Sequence, residues 1–395
     1  MATLRTIDDL DACAKRVLVR VDFNAPVENG VVTDDTRLRA ALPTINHLLD
    51  QDARVILMSH RGRPAGKGFE EDFSLAPIAR RLEELLGRPV QLAHDVTGPD
   101  AGSKADDLRP GEVLLLENLR FDPREKKNDP AFAAELAELA DAYVDDAFGT
   151  AHRAHASTTG VAKLLPAYAG YLMKREVETL TGMLDAPERP FVAILGGSKV
   201  SDKIGVIDAL LDKCDTLIIG GGMYFTFLAA QGKGVGTSLK EDDWIERAAQ
   251  MLDRAREKGV DLLLPVDVVC ADRFAPDAKT LVCGVDDIPS DMMGLDVGPK
   301  TCERYAEATA QAKTVFWNGP MGVFEMDAFA AGTRKVAEAV AENEQANTII
   351  GGGDSVAAVN KFGLADRMTF ISTGGGASME LVEGKELPGV AALQS

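Results

Sequence analysis

A chain of 395 residues is long for one hydrophobic core and sufficient for two domains of roughly 200 residues each. It is 46% hydrophobic and 27% charged, a globular composition, and its net charge of −19 argues against a general nucleic-acid or anionic-membrane binder. The start of the chain is acidic where an export signal is apolar, the longest uncharged stretch (216–232) is broken by a GGG, and five cysteines are scattered without a CxxC; export, a membrane span, a disulfide scaffold and a structural zinc site are not expected, and a reducing cytoplasm is.

In chain order, apolar runs fall at 17–22 (VLVRVD), 54–59, 113–117, 191–195, 216–220, 314–317, 347–351 and 368–372. Their hydrophobic residues are consecutive rather than alternating, which suits strands buried on both faces of a parallel sheet. Helical patterns lie between them, as at 130–143 and 330–343. This alternation predicts an α/β protein with doubly wound parallel sheets. A boundary is expected near 170–190, where Met173, Val177, Leu180 and Leu184 form a helical stripe ahead of Pro187 and Pro190. A single helix joining two lobes is the simplest reading.

Ligands of open α/β sheets bind beyond the carboxyl ends of the strands. In the first half those ends carry DFN (22–24), SHRGRP (59–64), ENLRF (117–121) and DDAFGTAHRAH (145–155). Arginine forks match phosphate and carboxylate geometry, and Asp22 and Asn24 can bond hydroxyl groups, so this half suits a small, multiply anionic ligand. In the second half the ends carry GGSKVSDK (196–203), GGGM (220–223), WNGPMGVFE (317–325), GGGDS (351–355) and STGGGAS (372–378). Glycines let backbone N–H groups approach a phosphate, and a helix starting there aims its positive end at it. Asp354 is suited to hold a Mg²⁺ that bridges nucleotide phosphates. Lys199 and Lys203, four residues apart, are expected to share one face of a helix start.

Other phosphate and cofactor motifs are missing. RGRPAGKG does not fit a P-loop, and GGGDSV has Val356 where a dinucleotide fingerprint needs a third Gly or Ala, which disfavours a nicotinamide-dependent oxidoreductase. HRAH lacks zinc-protease spacing and no GxSxG is present. An anion site in one lobe and a nucleotide-phosphate site in the other point to phosphoryl transfer between them, which runs on positioning and charge stabilisation. The lobes must then close to keep out water.

VDFNAP, SHRGRP, LLLENLRF, DDAFGTAHRAHAS, GGSKVSDKI, WNGPMGVFE, GGGDSVAAVNKFGLADRMTFISTGGGAS and EGKELPG, in this order along nearly the whole chain, closely resemble phosphoglycerate kinases. The resemblance implies two Rossmann-like domains joined by a hinge helix: 1–170 for 3-phosphoglycerate and 1,3-bisphosphoglycerate, 171–187 for the hinge, 188–379 for ADP and ATP, with the tail from about 380 packing back on the first domain. It implies transfer of the acyl phosphate of 1,3-bisphosphoglycerate to Mg²⁺-bound ADP by a cytoplasmic monomer. The substrate residues so implied are Asp22, Phe23, Asn24, Arg37, His60, Arg61, Gly62, Arg63, Arg120 and Arg153. Lys199, Lys203, Gly294, Asn318, Pro320, Glu325, Gly352, Gly353, Asp354 and Ser355 would hold the nucleotide, with Asp354 on the metal. Arg37, Lys199, Gly375 and Gly376 would act on the group in transfer.

Two residues depart from the usual family pattern: Arg61, where Leu is usual and whose side chain is expected in solvent, and Asp145, where Asn is common. The alternatives are a kinase of another phosphorylated carboxylic acid, and a binding protein that kept the fold without the catalysis. The intact Arg37, Lys199, Lys203 and Asp354 speak against the latter.

Overall fold

The computed structural model describes residues 4–394. They divide into two compact units, parted at Thr179/Leu180 and again at Lys385/Glu386. A helix, Tyr171–Asp185, carries the chain through the first of these points. Met173, Leu180 and Met183 are its buried apolar residues, so the stripe turns onto Met183 where the spacing pointed to Leu184. No described helix is long and apolar enough to cross a membrane.

The first unit contains, in chain order, β1 (Arg16–Arg20), a hairpin of β2 (Val27–Glu28) and β3 (Val31–Val32), β4 (Arg54–Met58), β5 (Val90–Leu92), β6 (Val113–Leu115), β7 (Ala142–Asp145) and β8 (Ala167–Ala169). Six of these form one sheet in the order β5-β6-β4-β1-β7-β8, every neighbouring pair parallel. Val17–Val19, Val55–Met58, Val113–Leu115 and all of β7 are buried, which is why these runs are unbroken by polar residues. The helical pattern at 130–143 is cut short: the helix is Pro130–Ala137, and Ala142–Asp145 is strand. Residues of the sheet-forming and helix-forming kinds are equally apolar there, and only the turn between them separates the two periods.

The second unit contains β9 (Phe191–Leu195), β10 (Thr216–Ile219), β11 (Asp261–Leu263), β12 (Asp267–Ala271), β13 (Thr280–Gly284), β14 (Met293–Val297), β15 (Thr314–Asn318), β16 (Asn347–Gly351) and β17 (Phe370–Ile371). Its main sheet is parallel, in the order β11-β10-β9-β15-β16-β17. The chain steps outward from β9 to β11 and resumes on the other side at β15, so the order reverses between β9 and β15, the topological switch point. A separate antiparallel sheet, β13-β12-β14, has no counterpart in the sequence reading. β13 is exposed along most of its length and has no buried apolar run to betray it.

Residues from Glu386 onward belong to the first unit, while Glu380–Lys385 stay with the second. Leu387, Val390 and Leu393 are buried, the Gly389 N–H donates to the Ala151 carbonyl at 2.8 Å, and the Arg5 N–H to that of Leu393 at 3.1 Å.

Candidate active site

β6, β4, β1 and β7 are consecutive in the first sheet, so the loops that follow them share one edge. The Asn24 side-chain oxygen accepts from the Gly62 N–H at 2.8 Å, and Arg120 donates to the Gly62 carbonyl at 2.6 Å. Gly62 has φ +62°, and a Cβ there would overlap the Phe73 ring, so only glycine fits. Arg37, in the first turn of the helix Thr36–Asp50, pairs with the Asp22 carboxylate. Phe23 is buried, and its N–H is held by the Ser59 hydroxyl at 2.8 Å. Arg63 and Arg153 are exposed.

Behind this edge lies Arg20, buried at the end of β1, a residue the sequence reading had placed inside an apolar run. It donates to the Ser157 hydroxyl at 3.0 Å and to His60 Nδ1, also at 3.0 Å. Since arginine can only donate, His60 Nδ1 is an acceptor and its proton sits on Nε2. Burial, then the charges of Arg20, Arg120 and Arg37, hold the His60 pKa well below its ordinary value, so the ring is neutral at pH 7. Glu125, also buried, accepts from the Ser157 N–H at 3.0 Å and its hydroxyl at 2.5 Å. Burial raises the Glu125 pKa and the Arg20 charge opposes that rise.

Arg61 differs from both expectations. Its guanidinium bonds the carbonyls of Asp72 at 2.7 Å and Ser74 at 3.1 Å, and so ties two loops together instead of standing in solvent or joining the arginines above.

In the second unit, one cavity of about 360 Å³ is lined by Lys199, Lys203, Asn318, Gly352, Gly353, Asp354, Ser355, Gly375 and Gly376. It opens at the switch point, where the loops after β9 and β15 meet. A Cβ on Gly196 would overlap the carbonyls of Gly319 and Pro320, so the approach depends on glycine. Gly352, at φ +86°, starts the helix Gly353–Lys361, and Gly353, Asp354 and Ser355 of its first turn line the cavity, at the helix end that favours an anion. Lys203 contacts the Asn318 side-chain oxygen, and the Ser355 hydroxyl accepts from the Gly319 N–H at 2.5 Å. Burial lowers the Lys203 pKa, against the pull of Asp354.

The two lysines do not share a helix face: Lys199 is exposed in a loop, and the helix begins only at Ile204, after Lys203. The intervening turn is fixed by Ser201, whose N–H and hydroxyl bond Glu241 at 3.0 and 2.6 Å. Both lysines still line the cavity. Gly294, Pro320 and Glu325 are not among its lining residues. Gly294 lies on β14, its N–H bonded to the Ser238 hydroxyl at 2.9 Å, and a Cβ there would overlap the Phe225 ring. Asp202 and Met379 line the cavity and were missed. Asp202 could have been found as the third charged group of GGSKVSDK; Met379 carries no signal.

No group of three or more His, Cys, Asp or Glu among the described residues is placed to hold a metal alone. An exposed Asp354 beside a cavity rich in backbone N–H groups instead suits Mg²⁺, which takes one or two carboxylates together with substrate phosphates and water.

Residues 7–385 match the family model for phosphoglycerate kinase. Similar curated relatives include the phosphoglycerate kinases of Moorella thermoacetica, 61% identical over 98% of each chain, and of Herpetosiphon aurantiacus, 59% identical over 98% of each. Among solved structures, phosphoglycerate kinase from Coxiella burnetii has a TM-score of 0.91 at 46% identity over 99% of each chain. The enzyme from Pyrococcus horikoshii has a TM-score of 0.84 at 32% identity, over 99% of this chain and 98% of its own. The strand-end chemistry, the two parallel sheets and these likenesses agree: the chain belongs to the phosphoglycerate kinase family, phosphotransferases of glycolysis.

Proposed function

We propose that this chain carries out the family's reaction with the residues described above: reversible transfer of the acyl phosphate of 1,3-bisphosphoglycerate to ADP, giving ATP and 3-phosphoglycerate. The observation that carries the reading is the cavity at the switch point of the second unit, where two lysines, two carboxylates and two glycine-led helix starts converge. In this reading the cavity takes the nucleotide phosphates. The first unit's strand ends take the phosphoglycerate, with His60 Nε2–H, Arg63, Arg120 and Arg153 on its non-transferred phosphate and Asp22 and Asn24 on its glycerate end.

The leaving group is a carboxylate, stable as an anion, so no side chain has to act as a general base in the ATP-forming direction. The demand is electrostatic, because charge spreads over the oxygens of the group in flight. Arg37 and Lys199 are the cations assigned to it, with the N–H groups at Gly375 and Gly376. Asp354 would hold Mg²⁺, which when bound neutralises nucleotide phosphate charge. Transfer without hydrolysis requires the two ligands to be brought together away from water. Location in the cytoplasm and action as a monomer complete the proposal.

The test is a coupled assay with ATP, Mg²⁺ and 3-phosphoglycerate, followed through NADH consumption by glyceraldehyde-3-phosphate dehydrogenase. Activity that needs all three is expected. Turnover with another phosphorylated acid but none with 3-phosphoglycerate would overturn the substrate assignment.

A further inference from the structure

The antiparallel sheet of the second unit contains two thiols that the transfer chemistry does not use. Cys270 on β12 and Cys283 on β13 have their sulfurs 3.7 Å apart, within thiol hydrogen-bond range. The ladder explains the closeness. Cys270 stands opposite Leu281, so Cys283, two residues further on, is its diagonal neighbour on the same face. Cys270 is buried and Cys283 is half-buried, so Cys283 is the member of the pair nearer to solvent. Cys13, Cys214 and Cys302 have no second cysteine in such range among the described residues.

We propose that Cys270 and Cys283 are a redox-modification site, closing reversibly to a disulfide with a peroxide as oxidant. The Cys283 sulfur attacks hydrogen peroxide, the O–O bond breaks, and one water leaves as a sulfenic acid forms on Cys283. The Cys270 sulfur then attacks the Cys283 sulfur, the S–O bond breaks, and a second water leaves as the S–S bond forms. Two thiols lose two electrons and two protons, and one peroxide becomes two waters. The sulfurs must close from 3.7 Å to about 2.05 Å, and because diagonal neighbours on paired strands stand about 7–8 Å apart, the closure draws β12 and β13 together as well as turning the side chains. Burial and the neighbouring Cys283 push the Cys270 thiol up to about 12, which makes the second step the slower one and alkaline pH its accelerator.

The pair is linked to the nucleotide unit through the ladder. On its other side β12 pairs with β14, and Cys270 is the partner of Gly294, next to a register shift between Val269 and Cys270. The Phe225 ring packs where a Gly294 side chain would be. Tyr224, its ring tilted against that of Phe225 at 4.0 Å between centroids, is buried with a hydroxyl that has no hydrogen-bond partner among the described residues. Drawing Cys270 toward β13 therefore acts on the strand and the ring that position Gly294. This consequence rests on the proposed place of Gly294 in nucleotide binding; the disulfide itself does not.

The full-length protein, treated with hydrogen peroxide and digested without reductant, is expected to yield a peptide pair joined through Cys270 and Cys283, lost on treatment with dithiothreitol. Cys283→Ser removes it, and Cys270→Ser instead leaves a sulfenic acid on Cys283 that dimedone traps. Oxidised protein is expected to show a several-fold higher KM for ATP with the KM for 3-phosphoglycerate unchanged, an effect absent in Cys283→Ser. A mapped disulfide with unchanged KM for ATP overturns the link to Gly294 while the modification site stands. Cys283 driven to sulfinic acid with Cys270 still a free thiol overturns the site.

Discussion

In the proposed reading the two units face the same problem, an anionic ligand on an acidic protein, and meet it with different chemistry. At the first unit's strand ends the positive groups are side chains, and three of them are held by a neighbour: Arg20 by Ser157 and His60, Arg120 by the Gly62 carbonyl, Arg37 by Asp22. In the second they are largely backbone N–H groups, at Gly352–Gly353 and Gly375–Gly376, beside two lysines. Side-chain cations repel one another and cost desolvation, so the cluster needs Glu125 beneath it and a histidine that stays uncharged. Amide dipoles carry no net charge and need no counter-ion. Their requirement is conformational instead: φ of +86° at Gly352 and +53° at Gly375, which side-chain-bearing residues adopt only under strain.

The largest test of this contrast is Lys199→Ala. Loss of one preorganised group at the phosphoryl in flight should lower kcat on the order of 10²–10³-fold, with ADP affinity by calorimetry little changed. A near-normal kcat would return the second unit's electrostatics entirely to its backbone. Next is Arg120→Ala, which removes a charge-assisted contact and is expected to raise the KM for 3-phosphoglycerate by about 10–100-fold, leaving the KM for ATP alone. Gly352→Ala probes the other side. A Cβ there would lie 2.5 Å from the Asn318 amide nitrogen and force a non-glycine residue to positive φ, at about 1–3 kcal/mol, seen as a lower Tm and a raised KM for ATP only. If it raised the KM for 3-phosphoglycerate equally, the division of labour would fail.

The smallest expected effect concerns Asp145. Burial pushes its carboxyl up to about 6, against 3.8 ordinarily, so the unfolded chain releases this proton more readily. Stability is therefore lost as pH rises from the ordinary value through about 6. Asp145→Asn should stabilise the protein by about 1–3 kcal/mol at pH 8 and by nothing below pH 3.8, read from urea midpoints at the two pH values. His155, lowered to about 4 chiefly by burial, works in the opposite sense: its contribution is lost as pH falls from 6.5 toward 4.

Much of this contrast was legible from residue types at strand ends. Consecutive apolar runs gave the parallel strands because burial on both faces leaves no room for polar alternation. The glycine clusters at 351–353 and 374–376 pointed to the second unit's cavity because a glycine run after a strand lets helix-start N–H groups line a pocket, whereas the cluster at 220–222 does not line it. Arg20 was hidden for a physical reason: inside VLVRVD it looks like core, and only the fold puts Ser157 and His60 around it. Arg61 was misread because a guanidinium can bond carbonyls of a distant loop, and no local pattern announces Asp72 and Ser74 as partners. The antiparallel sheet with Cys270 and Cys283 escaped because its edge strand is mostly exposed and its contacts are all tertiary.

The return of the chain end to the first unit bears on how the protein is made. The second unit is one continuous stretch, Leu180–Lys385, and can fold as soon as it is synthesised. The first unit begins earlier and finishes later, because Leu387, Val390 and Leu393 are the last parts of it to be translated. At about 5–20 residues per second, a ribosome leaves it unfinished for roughly 10–40 s after Thr179 has been added. A nascent chain stalled before Glu386 would carry a finished second unit and an incomplete first unit, so chaperone engagement and protease sensitivity should concentrate on the part that was translated first.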